Sequence, residues 1–257
     1  MTSKFAAGDK VLLIDGKERR YLITLTEGGE FHSHTGVITH AELIGSDEGS
    51  TFRSSRGSRF TAFRPTLSDF VLKMPRGAQV IYPKDLGPLL LLADIHPGVR
   101  VLESGVGSGA LSMAMLRAGA DIVGYELREE FADRATANVR SFLGDDFSER
   151  YRVELRNCYD GIQETDLDRV VLDLPEPWQV VKHAERALRP GGIFVSYTPT
   201  ILQAVHLRET LEGSRFTMAE TIEVLHRSWH IEGQSVRPDH RMVAHTGFLT
   251  AARLLAG

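Results

Sequence analysis

A glycine-rich turn between a strand and a helix constrains this chain more than any other feature. Residues 101–109 read VLESGVGSG, so an apolar run leads into three alternating glycines, Gly105, Gly107 and Gly109. Residues 108–118 then have the pattern of a helix. Glycine lets the backbone pass close to a ligand and leaves the first N–H groups of a helix free to bind it. The pattern predicts a ligand-binding corner of an open α/β sheet, although a glycine-rich corner without a ligand is the alternative.

Acidic residues on two strands narrow the class of ligand. Glu103 lies two residues before the turn, and the third glycine comes one place earlier than in the G-x-G-x-x-G turn of dinucleotide enzymes. A carboxylate there suits a cation, such as the ammonium or sulfonium end of S-adenosylmethionine, better than a pyrophosphate. Glu126 ends the next strand, where both NAD and S-adenosylmethionine sites hold the ribose hydroxyls. It predicts a nucleoside site without choosing between the two cofactors.

The pattern of predicted secondary structure changes near residue 75. Residues 1–75 contain short β-rich runs separated by turns, which predict a small β barrel or sandwich. Residues 76–257 alternate strands and helices, which predicts a mostly parallel, doubly wound sheet with helices on both faces. We therefore expect an α/β protein with two domains, 1–75 and 76–257, in which residues 65–84 form a connector. The predicted strands are 10–14, 20–26, 37–38, 51–52, 59–63, 98–103, 121–126, 152–155, 168–174, 192–197, 221–226 and 247–254, and the predicted helices are 108–118, 131–142, 178–188 and 200–211.

Composition excludes several classes of protein. The chain has 257 residues, of which 42% are hydrophobic and 25% charged, as in an ordinary globular protein. Its single cysteine, Cys158, cannot form an intrachain disulfide, and zinc sites usually need more thiolates. His240 and His245 are five residues apart without a further His or Cys partner, a poor spacing for zinc. There is no signal-like stretch or apolar run of membrane-spanning length, so we expect a cytoplasmic protein without a metal.

An arginine cluster is the main sign of a nucleic-acid partner. The net charge is −4, but phosphate contacts depend on local patches rather than on net charge. Arg53, Arg56, Arg59 and Arg64 lie within a dozen residues, between serines and glycine. The cluster predicts either an RNA contact or an ordinary solvated hairpin tip.

Further candidate residues follow the other strands. Ligands bind outside the carboxyl ends of parallel strands, and Asp173 and Trp178 follow the fourth strand in a loop stiffened by prolines. The alternative for Trp178 is a core position at the start of a helix. Asn157 ends the third strand, where side chains usually face the adenine, and Phe131 could touch the adenosine or belong to the core. The L-x-P-G-G sequence of residues 188–192 is typical of class I methyltransferases before their fifth strand.

Over nearly its whole length the chain resembles the bacterial and archaeal tRNA adenine-N1 methyltransferases that act on the adenosine at position 58 of the T loop, most closely their actinobacterial members. The C-terminal blocks are the parts most specific to that family. Asn157 departs from it, because an acidic or other polar residue is usual there, and Ser104 and Val106 stand where alanine or threonine is more common. The matching segments are Glu30-Phe31-His32, residues 79–85, the glycine turn, Tyr125-Glu126, residues 172–174 with Pro177-Trp178, Tyr197, and residues 237–242 and 245–249.

The resemblance implies transfer of a methyl group from S-adenosylmethionine to adenine N1 in tRNA by a homotetramer. Asp173 would accept a hydrogen bond from adenine N6, while Trp178 or Tyr197 would stack on the base and Tyr82 would close the pocket. The residues expected to bind the cofactor are Glu103, Gly105, Gly107, Ser108, Gly109, Ala110, Leu111, Glu126, Phe131, Asn157 and Asp173.

Two rival functions stay open. The chain could methylate a small molecule or a protein, or it could be a non-catalytic tRNA-binding subunit like those of split eukaryotic relatives. The cofactor turn decays in such subunits, whereas Glu103, the three glycines and Asp173 are all intact here.

Overall fold

The computed structural model describes residues 4–77 and 79–257. Contacts between residues divide it into two compact units, one ending at Met74 and the other beginning at Pro75. Each unit has its own hydrophobic core.

The first unit is built on antiparallel strands. Four of them form a sheet in the order β2-β1-β6-β5, and β3 pairs with β4 separately. In the described residues the four-stranded sheet is open, with β2 and β5 at its edges, and is not a closed barrel. The elements are β1 (Lys10–Asp15), β2 (Arg20–Thr24), β3 (Glu30–Ser33), β4 (Gly36–Thr39), α1 (His40–Leu43), β5 (Thr51–Arg53), β6 (Arg59–Phe63) and α2 (Leu67–Lys73).

Aromatic rings fill the centre of this unit. Phe60 is fully buried on β6, and its ring centroid lies 5.7 Å from that of Phe31 and 6.2 Å from that of Tyr21. Phe63 lies on the same strand but is 39% exposed. The strand therefore presents one face to the core and the other to solvent, as its alternating pattern predicts.

The second unit alternates strands and helices. Its elements are α3 (Pro83–Leu92), β7 (Arg100–Ser104), α4 (Ala110–Arg117), β8 (Asp121–Glu126), α5 (Glu129–Leu143), β9 (Tyr151–Leu155), β10 (Leu167–Asp173), α6 (Val181–Ala187), β11 (Leu188–Thr198), α7 (Ile201–Glu212), β12 (Phe216–Glu223), β13 (Trp229–Glu232), β14 (Ser235–Pro238) and β15 (Phe248–Leu254), with 3₁₀ turns at Asp145–Arg150, Cys158–Asp160 and Pro177–Val180.

Seven strands form the central sheet in the order β12-β15-β11-β10-β7-β8-β9. The strands from β11 to β9 are parallel, and β15 and β12 add an antiparallel edge. From β7 the chain proceeds outward through β8 and β9, and it then returns to β10 on the other side of β7. This reversal creates a crevice at the carboxyl ends of β7 and β10, where ligands of such sheets bind. The predicted doubly wound α/β class, with a small N-terminal β domain, is confirmed.

Several elements escaped the sequence analysis. α2 lies within the predicted connector, residues 65–84, whereas α3 begins at the end of the connector and continues to Leu92. Thr66 and Asp69 form a capping box that marks the start of α2. β13 and β14 form a mostly exposed hairpin, so they lack the buried alternation that predicts a strand. No helix in the described residues is long and apolar enough to cross a membrane.

Replacing Phe60 with alanine should destabilise the first unit. The substitution leaves a cavity in the aromatic core and should lower the free energy of unfolding by about 3–5 kcal/mol. Phe63→Ala on the same strand removes an exposed ring of the same size and should cost much less. Chemical denaturation monitored by hydrogen exchange in β1, β2 and β6 measures both changes, and equal losses would contradict the assigned core.

Candidate functional site

The glycine turn follows β7 and lies against the end of β10. Gly105, Gly107 and Gly109 have φ angles of +82°, +57° and +81°, a left-handed conformation that other residues adopt only with strain. A Cβ atom at Gly105 would overlap the main-chain carbonyl of Asp173. Position 105 therefore needs glycine both for its backbone conformation and for lack of space. The turn after β7 and the end of β10 are in direct contact there.

Glu103 is a buried carboxylate that lacks a full set of partners. It is 1% exposed, and its Oε2 accepts a hydrogen bond from Ser112 Oγ at 2.6 Å. Its Oε1 is buried and has no partner among the described residues. Burial raises the pKa of Glu103 to about 8, and the negative charges of Asp173 and Glu126 add to the shift. A ligand that brings a hydrogen-bond donor with positive charge would satisfy this oxygen.

Glu126 closes the turn from the neighbouring strand. Its Oε2 accepts the N–H of Gly107 at 3.1 Å, and its Oε1 accepts those of Leu127 at 2.9 Å and Arg128 at 3.1 Å. A pyrophosphate at this turn would have to compete with a carboxylate for the Gly107 donor. The arrangement therefore disfavours a dinucleotide and leaves Glu126 at the expected ribose position.

A small cleft opens beside this carboxylate, between the ends of β7, β8 and β9. Asn157 lines it, and its Oδ1 accepts the N–H of Tyr159 at 3.1 Å, which fixes the side chain at the start of a 3₁₀ turn. The cleft has the position expected for the adenine of a nucleoside. The other residues lining it are Ser104, Gly105, Tyr125, Glu126, Leu127, Arg156, Cys158, Tyr159 and Leu174.

Other predicted cofactor residues are buried around the turn. Ala110 and Leu111 begin α4, and Ser108 has a buried hydroxyl without a partner in the described part of the chain. Phe131 is 5% exposed on α5 and does not line the adenine cleft, while the Arg128 guanidinium lies 3.6 Å above its ring centroid. The structure thus favours the core interpretation of Phe131.

Asp173 and Tyr197 lie side by side at the ends of β10 and β11. The parallel register pairs the two residues directly. Burial raises the pKa of Asp173 to about 7, with a further contribution from the charge of Glu126. Burial also raises the pKa of Tyr197 to about 12, and Asp85, Asp173 and Tyr82 add to that shift. Tyr82, Asp173 and Tyr197 are therefore brought together at one end of the sheet.

Trp178 packs within the protein instead of presenting a free ring on which a base could stack. It lies in a 3₁₀ turn, partly buried against the hydrophobic cluster beneath α6 and α7. Its ring is stacked on His206, with centroids 4.2 Å apart and planes at 25°. One face of the indole is therefore covered, and the structure favours the core interpretation.

A group of residues beside Tyr197 has no role that the sequence predicts. Asp85, at the start of α3, accepts a hydrogen bond from Thr246 Oγ1 at 2.7 Å and pairs with Lys84 at 2.7 Å. Asp85 and Thr246 lie in segments 79–85 and 245–249, two of the segments that carry the family resemblance, but the sequence does not reveal that they meet. His245 contacts Glu223 at 2.7 Å and the carbonyl of Pro199 at 2.8 Å. In the part of the chain that the structure describes, no group of three or more His, Cys, Asp or Glu side chains could hold a metal ion.

The site fits a cationic nucleoside. Glu103, Glu126 and Asp173 converge on one turn, and no described Lys, Arg or His side chain forms an ion pair with any of them. S-adenosylmethionine carries an ammonium, a sulfonium and an adenosine, which match the orphaned Glu103 oxygen, the surrounding negative charge and the cleft. The fold and site together define a class I methyltransferase with S-adenosylmethionine as its cofactor.

Comparison with known proteins identifies the family. A family model described as the tRNA methyltransferase complex GCD14 subunit matches residues 61–237, and a TrmI-like N-terminal model matches residues 4–52. The chain belongs to the GCD14 family of tRNA methyltransferases. It is 37% identical to the tRNA (adenine(58)-N(1))-methyltransferase TrmI of Thermus thermophilus, over 95% of this chain and 96% of the relative.

Two solved structures are similar over nearly the whole chain. A SAM-dependent O-methyltransferase from Thermotoga maritima has a TM-score of 0.94 and 32% identity, covering 99% of this chain and 96% of that one. The tRNA (m1A58) methyltransferase TrmI from Aquifex aeolicus has a TM-score of 0.87 and 30% identity, covering 99% of this chain and 100% of that one.

Cofactor affinity should rise with pH. Asp173 and Glu103 have pKa values raised to about 7 and about 8, so below pH 7 both carboxyls are mainly protonated, and only the ionised forms attract a cation. Between pH 5.5 and 7.5 the affinity should increase at least about tenfold, before the ligand's own amino group titrates at about 7.7–8.0.

Calorimetry in buffers of different ionisation enthalpy measures both the affinity and the protons released on binding. Glu103→Gln should bind more weakly and release fewer protons than the unmodified protein. A flat affinity over this range, without proton release, would contradict the proposed role of the two carboxylates.

Proposed function

We propose that this protein transfers a methyl group from S-adenosylmethionine to N1 of the adenosine at position 58 in the T loop of tRNA. The observation that carries the proposal is the likeness to an enzyme of that name over 95% of the chain, combined with an intact cofactor turn. We include in it a cytoplasmic homotetramer whose first unit contacts the RNA. The kinship with actinobacterial members stays a prediction from sequence.

The residues predicted to bind the cofactor would have distinct tasks. Glu103 would hold the ammonium group, Glu126 the ribose hydroxyls, and the cleft at Asn157 the adenine. When bound, S-adenosylmethionine supplies an electrophilic methyl group on its sulfonium. The close contact of Gly105 with Asp173 supports placing that methyl group next to the end of β10.

Adenine N1 attacks the methyl carbon with its in-plane lone pair. The carbon–nitrogen bond would form as the methyl group leaves the sulfur, so that positive charge would develop on the adenine ring. Asp173 would accept a hydrogen bond from N6, where part of this charge develops, and so stabilise the transition state. Since N1 carries no proton to remove, the protein's main tasks are alignment, charge stabilisation and exclusion of water.

Tyr197 and Tyr82 are the better candidates for contact with the target base. Tyr197 is in register with Asp173, and Tyr82 lies near it. Trp178, by contrast, already stacks on His206. Aromatic side chains commonly hold a base that has been turned out of its stack, at a cost of a few kcal/mol that protein contacts must offset.

The arginine cluster in the first unit supports an RNA contact. Arg53 and Arg59 face each other directly across β5 and β6. Like charges in such a pair destabilise a sheet, and no described carboxylate pairs with either of them or with Arg56. Arg64 differs, because it forms an ion pair with Asp9 at 3.0 Å. A phosphate backbone would neutralise the three remaining arginines.

Methylation of a hydroxyl is the second candidate function, because one similar structure carries the name of an O-methyltransferase. A hydroxyl must lose a proton, and a carboxylate with a pKa raised to about 7, such as Asp173, could accept it. The two candidates predict different products from the same site.

The deciding experiment incubates unmodified tRNA with the protein and S-adenosylmethionine carrying a labelled methyl group. Nuclease digestion and mass spectrometry should locate 1-methyladenosine at position 58, and a transcript with guanosine at 58 should gain no label. Label on ribose, or only on small molecules, would contradict the proposal. Light scattering tests the tetramer separately.

The arginine cluster should carry part of the RNA affinity. Changing Arg53, Arg56 and Arg59 to Ala should weaken tRNA binding and flatten its dependence on salt, because fewer counterions are released. Changing Lys4, Lys17 and Lys73 removes the same charge from other positions of this unit and serves as the control. Both variants should bind S-adenosylmethionine normally, and equal losses of RNA affinity would exclude a specific contact.

Asp173 should act mainly in the transition state. Asp173→Ala should lower kcat by on the order of 10²–10³, the usual loss when one preorganised charge-stabilising group is removed. tRNA binding should stay nearly intact. Asp173→Asn keeps the shape and one acceptor oxygen but lacks the charge, so near-normal turnover of this variant in single-turnover assays would make Asp173 a positioning residue only.

A further inference from the structure

Asp85 and Lys84 form a buried ion pair that the proposed reaction does not use. Asp85 is completely buried in the first turn of α3, and the Lys84 side chain is 4% exposed. Lys84 Nζ contacts Asp85 Oδ1 at 2.7 Å and donates to the carbonyl of Val224 at 2.6 Å. Buried ion pairs add little stability over apolar residues, because removing two charges from water is costly. Stability alone is therefore a weak reason for this pair.

The second carboxylate oxygen of Asp85 is linked to Tyr197 through Thr246. Asp85 Oδ2 accepts a hydrogen bond from Thr246 Oγ1 at 2.7 Å, and the main-chain carbonyl of Thr246 accepts one from the Tyr197 hydroxyl at 2.5 Å. Thr246 lies in an irregular segment before β15, so its carbonyl has no strand partner to fix its direction. The Asp85 carboxylate anchors Thr246 itself, beside the contacts that His245 makes with Glu223 and Pro199.

Gly247, the residue after Thr246, lies directly against the Tyr197 ring. A Cβ atom at Gly247 would overlap the Tyr197 ring, so the main chain passes directly against its edge. The hydroxyl is already engaged as a donor to Thr246, and the ring rather than the O–H is left to act on a substrate. Since Tyr197 is in register with Asp173, a small rotation of the ring would change the space beside the reacting base.

Resting on the proposed function, we infer that Asp85 and Thr246 are positioning residues, which hold the Tyr197 ring beside Asp173 in the orientation that receives the target adenine. Asp85 acts through Thr246 and does not touch the reacting atoms. Lys84 holds the other carboxylate oxygen, which leaves Oδ2 directed at Thr246. The arrangement gives the two sequence blocks 79–85 and 245–249 one shared task.

The test compares Thr246→Val, which lacks the hydroxyl that reaches Asp85, with Thr246→Ser, which keeps it. Both substitutions keep the Lys84–Asp85 ion pair, whereas Asp85→Ala would leave the Lys84 charge buried without its carboxylate. Thr246→Val should lower kcat for tRNA methylation by about ten- to a hundredfold, the scale for misplaced reacting groups. The KM for tRNA and the Kd for S-adenosylmethionine should stay within about twofold, and Thr246→Ser should retain activity.

A double-mutant cycle separates positioning from general destabilisation. Tyr197→Phe removes the hydroxyl that reaches Thr246, so combining it with Thr246→Val should cause little further loss of kcat. Additive losses that follow the thermal stability of the variants would overturn the inference. So would equal kcat values for Thr246→Val and Thr246→Ser.

A spectroscopic readout does not depend on the substrate. The chain has six tyrosines, and ¹⁹F NMR of protein labelled with 3-fluorotyrosine should give a Tyr197 signal that Tyr197→Phe assigns. Thr246→Val should shift or broaden this signal, while Thr246→Ser should not. An unchanged signal in Thr246→Val overturns the inference even if the unmodified protein fails to methylate tRNA, a result that would refute the proposed function alone.

Discussion

The close approach of Gly105 to the Asp173 carbonyl is the contact on which the rest of the site depends. It joins the turn after β7 to the end of β10, the two strands between which the chain reverses its direction across the sheet. A side chain at 105 would push these segments apart. The cofactor turn and the proposed acceptor of the developing charge can share one crevice because this position has no Cβ atom.

Negative charge is the second organising feature of the crevice. Burial and mutual repulsion raise the pKa values of Glu103 and Asp173, so the cofactor-free site holds carboxylates in an unfavourable state. Sites that perturb carboxylates in this way are commonly functional. A cation relieves the repulsion and satisfies the orphaned Glu103 oxygen, which gives a physical reason for the selection of a sulfonium cofactor over a dinucleotide.

The groups around the proposed target base differ in how they are held. Strand register places Tyr197 beside Asp173, whereas its hydroxyl is held by the main-chain carbonyl of Thr246, whose side chain is anchored to Asp85 in α3. Trp178 differs, because its indole stacks on His206 of α7 and packs against the hydrophobic core. Trp178 therefore packs against the core, whereas Tyr197, which is 7% exposed, is held beside Asp173.

The sequence by itself determined the doubly wound class of the sheet, the glycine turn and the carboxylates at the strand ends. Hydrophobic alternation, glycine spacing and the succession of strands and helices are local patterns, so they can be read along the chain. It missed α3 and the exposed β13–β14 hairpin, and it left Phe131 and Trp178 open between ligand and core. Only the tertiary structure favours the core interpretation of those two residues and joins Asp85 to Thr246, 161 residues away, and Thr246 to Tyr197, 49 residues away. Such contacts arise when distant segments pack together, and no local pattern records which side chains will then meet.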